Sequence, residues 1–246
     1  MKVWAIGDPH LSFQNGVLTK PMSIFGKQWE NHPKTIQKNW EENVDTQDVV
    51  FIVGDISWAK KPALAQEDLQ FLCNLPGKKV FIRGNHDYWW SSLTKVQSLL
   101  PPHCTALNGG TLDFGHFIVG GLRLWDIPGL EWDGYYHQKI DRILTEEDQK
   151  ILEKETQRLI SCLEILKNST LPKILLLHYP PTTPNLVDTF YTKEIEKAGI
   201  SHCVFGHLHD LKIANREECY GVKNGVRYHL TACDWAQFKP VLIAQY

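Results

Sequence analysis

Five stretches of this chain are short apolar runs that end abruptly in a polar cluster, and that repeated device constrains the fold more than any other feature. Val3–Ile6 runs into Gly7-Asp8-Pro9-His10, and Val49–Val53 into Gly54-Asp55. Lys79–Ile82 leads into Arg83-Gly84-Asn85-His86-Asp87, Ile174–Leu177 into His178, and His202–Phe205 into Gly206-His207-Leu208-His209. An unbroken apolar run is what a strand covered on both faces needs. The carboxyl ends of such strands are where open α/β sheets hold their ligands. Asn and Asp behind one strand are ordinary turn residues. The same arrangement five times over reads as one polar rim assembled from distant parts of the chain.

Between these runs the helical signals fall where crossovers need them. Ile36 and Trp40 sit one turn apart in a helix expected over 33–43. Ala65, Leu69, Leu72 and Cys73 have helical spacing within 62–74, with Pro76-Gly77 beyond. A helix over 91–100 would be stopped by Pro101-Pro102. Thr145 with Asp148 three residues on caps a long helix reaching Lys167, and a further helix over 191–198 ends at Gly199. The β segments near 104–108, 111–114 and 116–121 read as a meander. The tail reads as antiparallel: 219–223, the turn Asn224-Gly225, 226–231, then 241–244. Residues 11–33 are expected to be irregular, and 123–142, with Trp125, Trp132, Tyr135 and Tyr136, to form a surface insertion. Loops of that length often serve as lids or binding walls. With no repeat, low-complexity tract or linker, residues 1–246 read as one α/β domain.

A length of 246 residues suits one substantial core. The formal charge of −2 lacks the basic excess of proteins that hold nucleic acid through bulk charge, which leaves only a local basic groove as a route to it. No apolar run approaches the ~20 residues that span a bilayer. The chain enters a strand at once, with no room for a signal peptide. Six cysteines without Cys-x-x-Cys spacing read as reduced thiols of a cytoplasmic protein.

Five of the eleven histidines (10, 86, 178, 207 and 209) follow the strands directly, beside Asp8, Asp55 and Asn85. Imidazole and carboxylate donors suit manganese, iron, zinc or nickel. Asp8 and His10 can face one pocket as the strand opens into a loop. His207 and His209 repeat that spacing, so each can serve a different ion, and the two oxygens of Asp55 can bridge a pair. Two divalent ions bring about +4 against two carboxylates and a bridging hydroxide, leaving a small positive excess for an anion. Such a pair lowers the pKa of a shared water and stabilises both attacking and leaving oxygens of an in-line displacement; phosphoryl transfer fits best. His32, His103, His116, His137, His202 and His229 continue no motif and take structural readings. Asp87 reads as a group orienting a ligand or, slightly favoured, as the cap of the next helix. Arg83 could reach a phosphate or form a salt bridge. Trp58, Trp89 and Trp90 could wall a site for a base, although Trp89 and Trp90 suit the core equally well.

Asp8-x-His10, Gly54-Asp55, Gly84-Asn85-His86-Asp87, His178 and Gly206-His207-x-His209 resemble, in order, the motifs of the calcineurin-like metallophosphoesterases. The resemblance spans residues 8 to 209 and implies a four-layer α/β/β/α sandwich with a dinuclear site at one edge. It implies that Asp8, His10, Asp55 and His209 hold one transition-metal ion, divalent or trivalent, and that Asp55, Asn85, His178 and His207 hold the other. His86 matches the histidine that contacts the phosphate and protonates the leaving group. The protein Ser/Thr phosphatase branch reads Gly-Asp-x-x-Asp-Arg-Gly, whereas here Ile56-Ser57-Trp58-Ala59 follows Asp55. The acidic partner of His86 is therefore missing at position 58 and the phosphate-binding Arg at 59, which lowers the prospect of a phosphoprotein substrate. The Trp-rich surroundings are most similar to a bacterial set of predicted phosphohydrolases. The expected activity is hydrolysis of a small phosphomonoester or phosphodiester; a nuclease and a non-catalytic metal-binding scaffold are the alternatives.

Overall fold

The computed structural model describes residues 1–130, 145–211, 213 and 219–246. Its first half alternates strand and helix: β1 (Lys2–Ile6), a small hairpin of β2 (Phe13–Gln14) and β3 (Val17–Leu18), α1 (His32–Asn43), β4 (Val49–Val53), α2 (Gln66–Asn74), β5 (Lys78–Ile82), α3 (Leu93–Gln97) and β6 (Cys104–Leu107). The second half holds β7 (Gly110–Asp113), β8 (Ile118–Leu122), α4 (Glu146–Lys167), β9 (Lys173–Leu177), α5 (Phe190–Lys197), β10 (His202–Phe205), β11 (Gly221–Lys223), β12 (Val226–Leu230) and β13 (Val241–Gln245). One sheet has the order β13-β1-β4-β5-β6 and the other β11-β12-β10-β9-β8-β7. In the first, β1, β4, β5 and β6 are mutually parallel. In the second, β8, β9, β10 and β12 are.

Residue parity along these strands sorts the core into layers, because successive side chains point to opposite faces. Val3, Ala5, Val49, Phe51 and Val53 meet Ile174, Leu176 and Val204 between the two sheets. The alternate residues Trp4, Ile6, Val50, Ile52 and Phe81 pack outward against Ile36 and Trp40 of α1 and Leu69 and Leu72 of α2. On the far side Leu175, Leu177, Cys203 and Phe205 pack against Leu159, Leu163 and Leu166 of α4 and Ile195 of α5. This is the four-layer αββα sandwich expected from the motifs. Every residue of β4 is fully buried, and each such Val, Ile or Phe contributes roughly 1.5–3 kcal/mol relative to exposure.

The Thr145–Asp148 capping box forms as expected, with Thr145 Oγ1 accepting from the Asp148 amide and the Asp148 side chain accepting from the Thr145 amide. Five local readings are corrected. Residues 11–33 are not irregular throughout: they hold the β2–β3 hairpin and 3-10 turns at Met22–Phe25 and Lys27–Trp29. The 62–74 helix opens as a 3-10 turn at Pro62–Leu64 before α2 begins. The 91–100 helix stops at Gln97, where the amides of Leu99 and Leu100 bond three residues back and tighten the chain out of the α-helix. The meander splits, since β6 closes the first sheet while β7 and β8 form an antiparallel hairpin in the second. The tail is antiparallel only in part: β11 and β12 form the hairpin, but β12 lies parallel to β10, and β13 returns to pair with β1. Trp132, Tyr135, Tyr136 and His137 lie outside the described residues. Among the described residues no helix is long and apolar enough to cross a membrane.

Candidate metal centre

The polar strand ends meet at one rim because the two sheets are tied together there. Gly7, behind β1, bridges to Ala232, behind β12, and its amide donates to the Thr231 carbonyl at 2.7 Å. The Asp8 and His10 amides donate to the Gly54 and Asp55 carbonyls, each at 3.0 Å. The His207 amide donates to Asp8 Oδ2 at 2.9 Å and the His86 amide to Asp55 Oδ1 at 2.7 Å. Asp8, His10, Asp55 and His207 all take positive φ, at 56°, 46°, 48° and 71°. Non-glycine residues keep that conformation only where their surroundings over-determine it, and functional sites are where it gathers. Two motif glycines make room for the carboxylates. A Cβ on Gly84 would lie 2.1 Å from Asp55 Oδ1, and one on Gly206 would lie 2.4 Å from Asp8 Oδ2.

The side chains singled out by the strand-end pattern fall into two groups with Asp55 between them. His10 Nε2 is 3.2 Å from His209 Nε2 and 3.8 Å from Asp55 Oδ2. His209 Nε2 lies 3.8 Å from Asp8 Oδ1. On the other side, His178 Nε2 is 2.7 Å from Asn85 Oδ1 and 3.5 Å from Asp55 Oδ1, and His207 Nδ1 is 3.0 Å from the same Asn85 oxygen. Donor atoms of Asp8, His10 and His209 all lie within 4.8 Å of one another, as do those of Asp8, Asp55 and His178. His178 Nδ1 donates to the Val53 carbonyl at 2.9 Å, which leaves its Nε2 lone pair free to ligate.

The electrostatics of this cluster call for positive charge. Burial raises the Asp8 carboxyl well above its usual range, with His209 pulling it down and Asp55 pushing it up. Burial likewise raises Asp55, against His86. Burial holds His10 well below its ordinary value, helped by His209 and His86, and lowers His178 to about 4, so both are neutral donors. His209 goes the other way, to about 9, because Asp234, Asp8 and Asp55 outweigh its burial. Two buried carboxylates beside the neutral imidazoles of His10 and His178, with His10 Nδ1 lacking a hydrogen-bond partner among the described residues, form a set that a divalent cation completes chemically.

The flanking residues depart more from expectation. His86 is half-buried: its Nε2 lies 4.0 Å from Asp55 Oδ2 and its Nδ1 3.4 Å from the Tyr88 hydroxyl. Tyr88 thus supplies a polar contact to the ring that the missing acid would have oriented. Asp87 does not cap α3, whose cap is Ser92. Its carboxylate accepts from the amides of Gly84, Ile56 and Ser57 and from Trp89 Nε1, stitching two motif loops together. Burial, then Asp55, still raises it to about 6. Trp89 and Trp90 are core residues, whereas Trp58 stacks on His10 at 4.9 Å. Arg83 Nε has no hydrogen-bond partner among the described residues. Besides Tyr88, Asp234 escaped the sequence reading: it accepts from His209 Nδ1 at 2.8 Å. It follows a strand as the others do, and that was its signal.

A sequence model of the calcineurin-like phosphoesterase family matches residues 1–211. An uncharacterized protein of Methanocaldococcus jannaschii is 36% identical over 88 residues, which are 35% of this chain and 47% of that protein. The Gene 66 protein of Mycobacterium phage D29 is 45% identical over 58 residues, 23% of this chain and 28% of its own length. The matches thus span less than half of either curated relative. The crystal structure of TT1561 of Thermus thermophilus superimposes over 98% of this chain and 97% of its own, with a TM-score of 0.54 and 13% identity, a likeness of fold.

Proposed function

Because the chain belongs to the calcineurin-like phosphoesterase family, we propose that it hydrolyses a small phosphomonoester or phosphodiester at a dinuclear metal centre. The observation that carries this reading is the position of Asp55, which turns Oδ2 toward His10 and Oδ1 toward His178. Asp8, His10, Asp55 and His209 would hold one ion, and Asp55, Asn85, His178 and His207 the other. Manganese, iron, zinc or nickel suits these donors. When bound, such ions lower the pKa of a shared water and neutralise charge growing on the phosphoryl oxygens.

The remaining work falls to the chain's own side chains. His86 Nε2 stands at the edge of the cluster and donates its proton to the leaving oxygen. Tyr88 and Trp58 hold that ring from two sides, the latter at 4.7 Å between centroids. Asp234 keeps His209 Nε2 aimed at Asp8. The complete donor set speaks against a non-catalytic scaffold, and the net charge of −2 gives a nuclease no support. The cytoplasmic location belongs to the same reading and rests on the cysteine pattern.

The test uses 4-nitrophenyl phosphate and bis(4-nitrophenyl) phosphate. A chelator should abolish hydrolysis and added Mn²⁺ restore it, while Asp55→Asn should fold, bind less metal and lose turnover. Undiminished turnover by that variant would overturn the reading.

A further inference from the structure

The metal centre opens on one side into a pocket whose walls are aromatic. It encloses about 260 Å³ between Met22, Phe25, Trp29, Trp58 and His86. The wall begins at the metal donors themselves: Trp58 lies nearly parallel to His10, 18° between planes, and Trp29 meets His209 edge-on at 5.7 Å. Trp58 is fixed from behind by its Nε1, which donates to Met22 Sδ at 3.3 Å. The outer lip is the Met22–Phe25 turn, where Ile24 is 78% and Phe25 60% exposed.

We propose that this pocket receives the leaving-group side of the substrate, and that the leaving group carries an uncharged planar aromatic ring. This rests on the phosphoesterase reading and narrows it to a substrate class. Three observations converge. His86, the group placed to protonate the leaving oxygen, is part of the pocket wall, so the departing alcohol extends into the pocket. The volume is below the ~300–1,000 Å³ that encloses a whole drug-sized ligand, so it holds one ring system and not a lipid tail or a peptide. Phe25, Trp29, Trp58 and His86 present ring faces and edges to it, which prefer offset-stacked or T-shaped aromatic partners. Asp210 also lines the pocket, and its carboxylate repels a second phosphate. An aryl alcohol and a nucleoside share the required chemistry. In the reaction, the oxygen of water bonds to phosphorus as the P–O bond to the ring-bearing alcohol breaks. His86 Nε2 supplies that alcohol's proton and takes one back from solvent, which receives the proton released by the attacking water.

The test compares esters that share a phosphate and differ in the leaving group: methyl phosphate, 1-naphthyl phosphate and a nucleoside 5′-monophosphate, all with Mn²⁺. Intrinsic leaving-group reactivity cancels when a variant's ratio of kcat/KM between two esters is divided by the wild-type ratio. Phe25→Ala should lower the naphthyl-to-methyl ratio about fivefold, and Phe25→Trp should restore it. Val17→Ala, on the exposed β3 hairpin, should leave it at the wild-type value. A fall in the nucleoside-to-methyl ratio as well would assign the pocket to a base, and a fall confined to the naphthyl ester would assign it to an aryl alcohol. As a readout without turnover, a naphthyl phosphonate should quench tryptophan emission, and more weakly in Phe25→Ala. Turnover with unchanged ratios and unchanged quenching sinks the pocket assignment alone. No turnover of any of these esters or of bis(4-nitrophenyl) phosphate sinks the phosphoesterase reading and this inference together.

Discussion

Asp234 shows how far one carboxylate that touches no substrate can reach. It accepts from His209 Nδ1 at 2.8 Å and from the Asp210 amide at 2.9 Å, which fixes both the ring angle and the tautomer of His209. Carboxylate partners of this kind raise a ligand's basicity and commonly change metal affinity or activity about 10–100-fold when lost. Asp234→Asn keeps the shape and removes the charge, so Mn²⁺ affinity measured by calorimetry should fall within that range with the fold intact; equal affinity would show that His209 needs no such support. At this scale the sequence was most legible. The proposed donors could be named because each follows a strand and carries a ligand-type side chain. Asp234 obeys the same rule behind β12, but no histidine or glycine flags it. Tyr88 gave no signal at all, since nothing in an exposed tyrosine announces a contact with His86.

Elements were legible where hydrophobic period decides them and illegible where partner choice does. The buried strands β4, β5, β9 and β10 stood out as apolar runs, and the α4 capping box could be read residue by residue. That β6 joins one sheet while β7 joins the other depends on tertiary pairing, which local propensity does not encode. Asp87 belongs to this scale, since it binds the loop behind β4 to the loop behind β5. Replacing it with Asn sets an amide nitrogen against at least one buried N–H donor, and an unsatisfied buried group costs about 1–3 kcal/mol. Urea unfolding of Asp87→Asn should show a loss of that size, and an unchanged midpoint would mean the loops hold without the stitch. The strands β10 and β12 carry a second testable pair, His202 Nδ1 and His229 Nε2, 3.0 Å apart. Burial, His202 and Arg227 lower His229 to about 3 from an ordinary 6.5, and burial with Arg227 lowers His202. A depressed histidine favours the neutral native state, so its contribution is present above pH 6.5 and is lost as pH falls toward 3. The unfolding midpoint of His229→Gln should therefore decline less steeply between about pH 6.5 and 4 than that of the unaltered protein. Parallel slopes would show that the pair takes up its proton freely.

Taken as a whole molecule, the sandwich places the proposed metal donors so that neither sheet owns the centre. Asp8, His10, Asp55 and Asn85 follow β1, β4 and β5 of the first sheet, whereas His178, His207 and His209 follow β9 and β10 of the second. Without cations, Asp8 and Asp55 are buried carboxylates whose ionisation burial opposes, so the rim where the sheets meet carries a cost that the apolar layer between them must offset. Cations held by both sheets would remove that cost and add a cross-link that only the folded chain can form. Binding restricted to the native state stabilises by about 2.7 kcal/mol per site at a free concentration of 100 Kd. For a domain of this size that corresponds to a rise in Tm of roughly 5–10 °C. Mn²⁺ titrated into chelated protein should produce such a rise, and Asp55→Asn, which loses the oxygen facing one of the two groups, should reduce it by more than half. A Tm indifferent to Mn²⁺, or an undiminished rise in the variant, would mean that the ions do not span the sheets and that Asp55 is not the residue joining them.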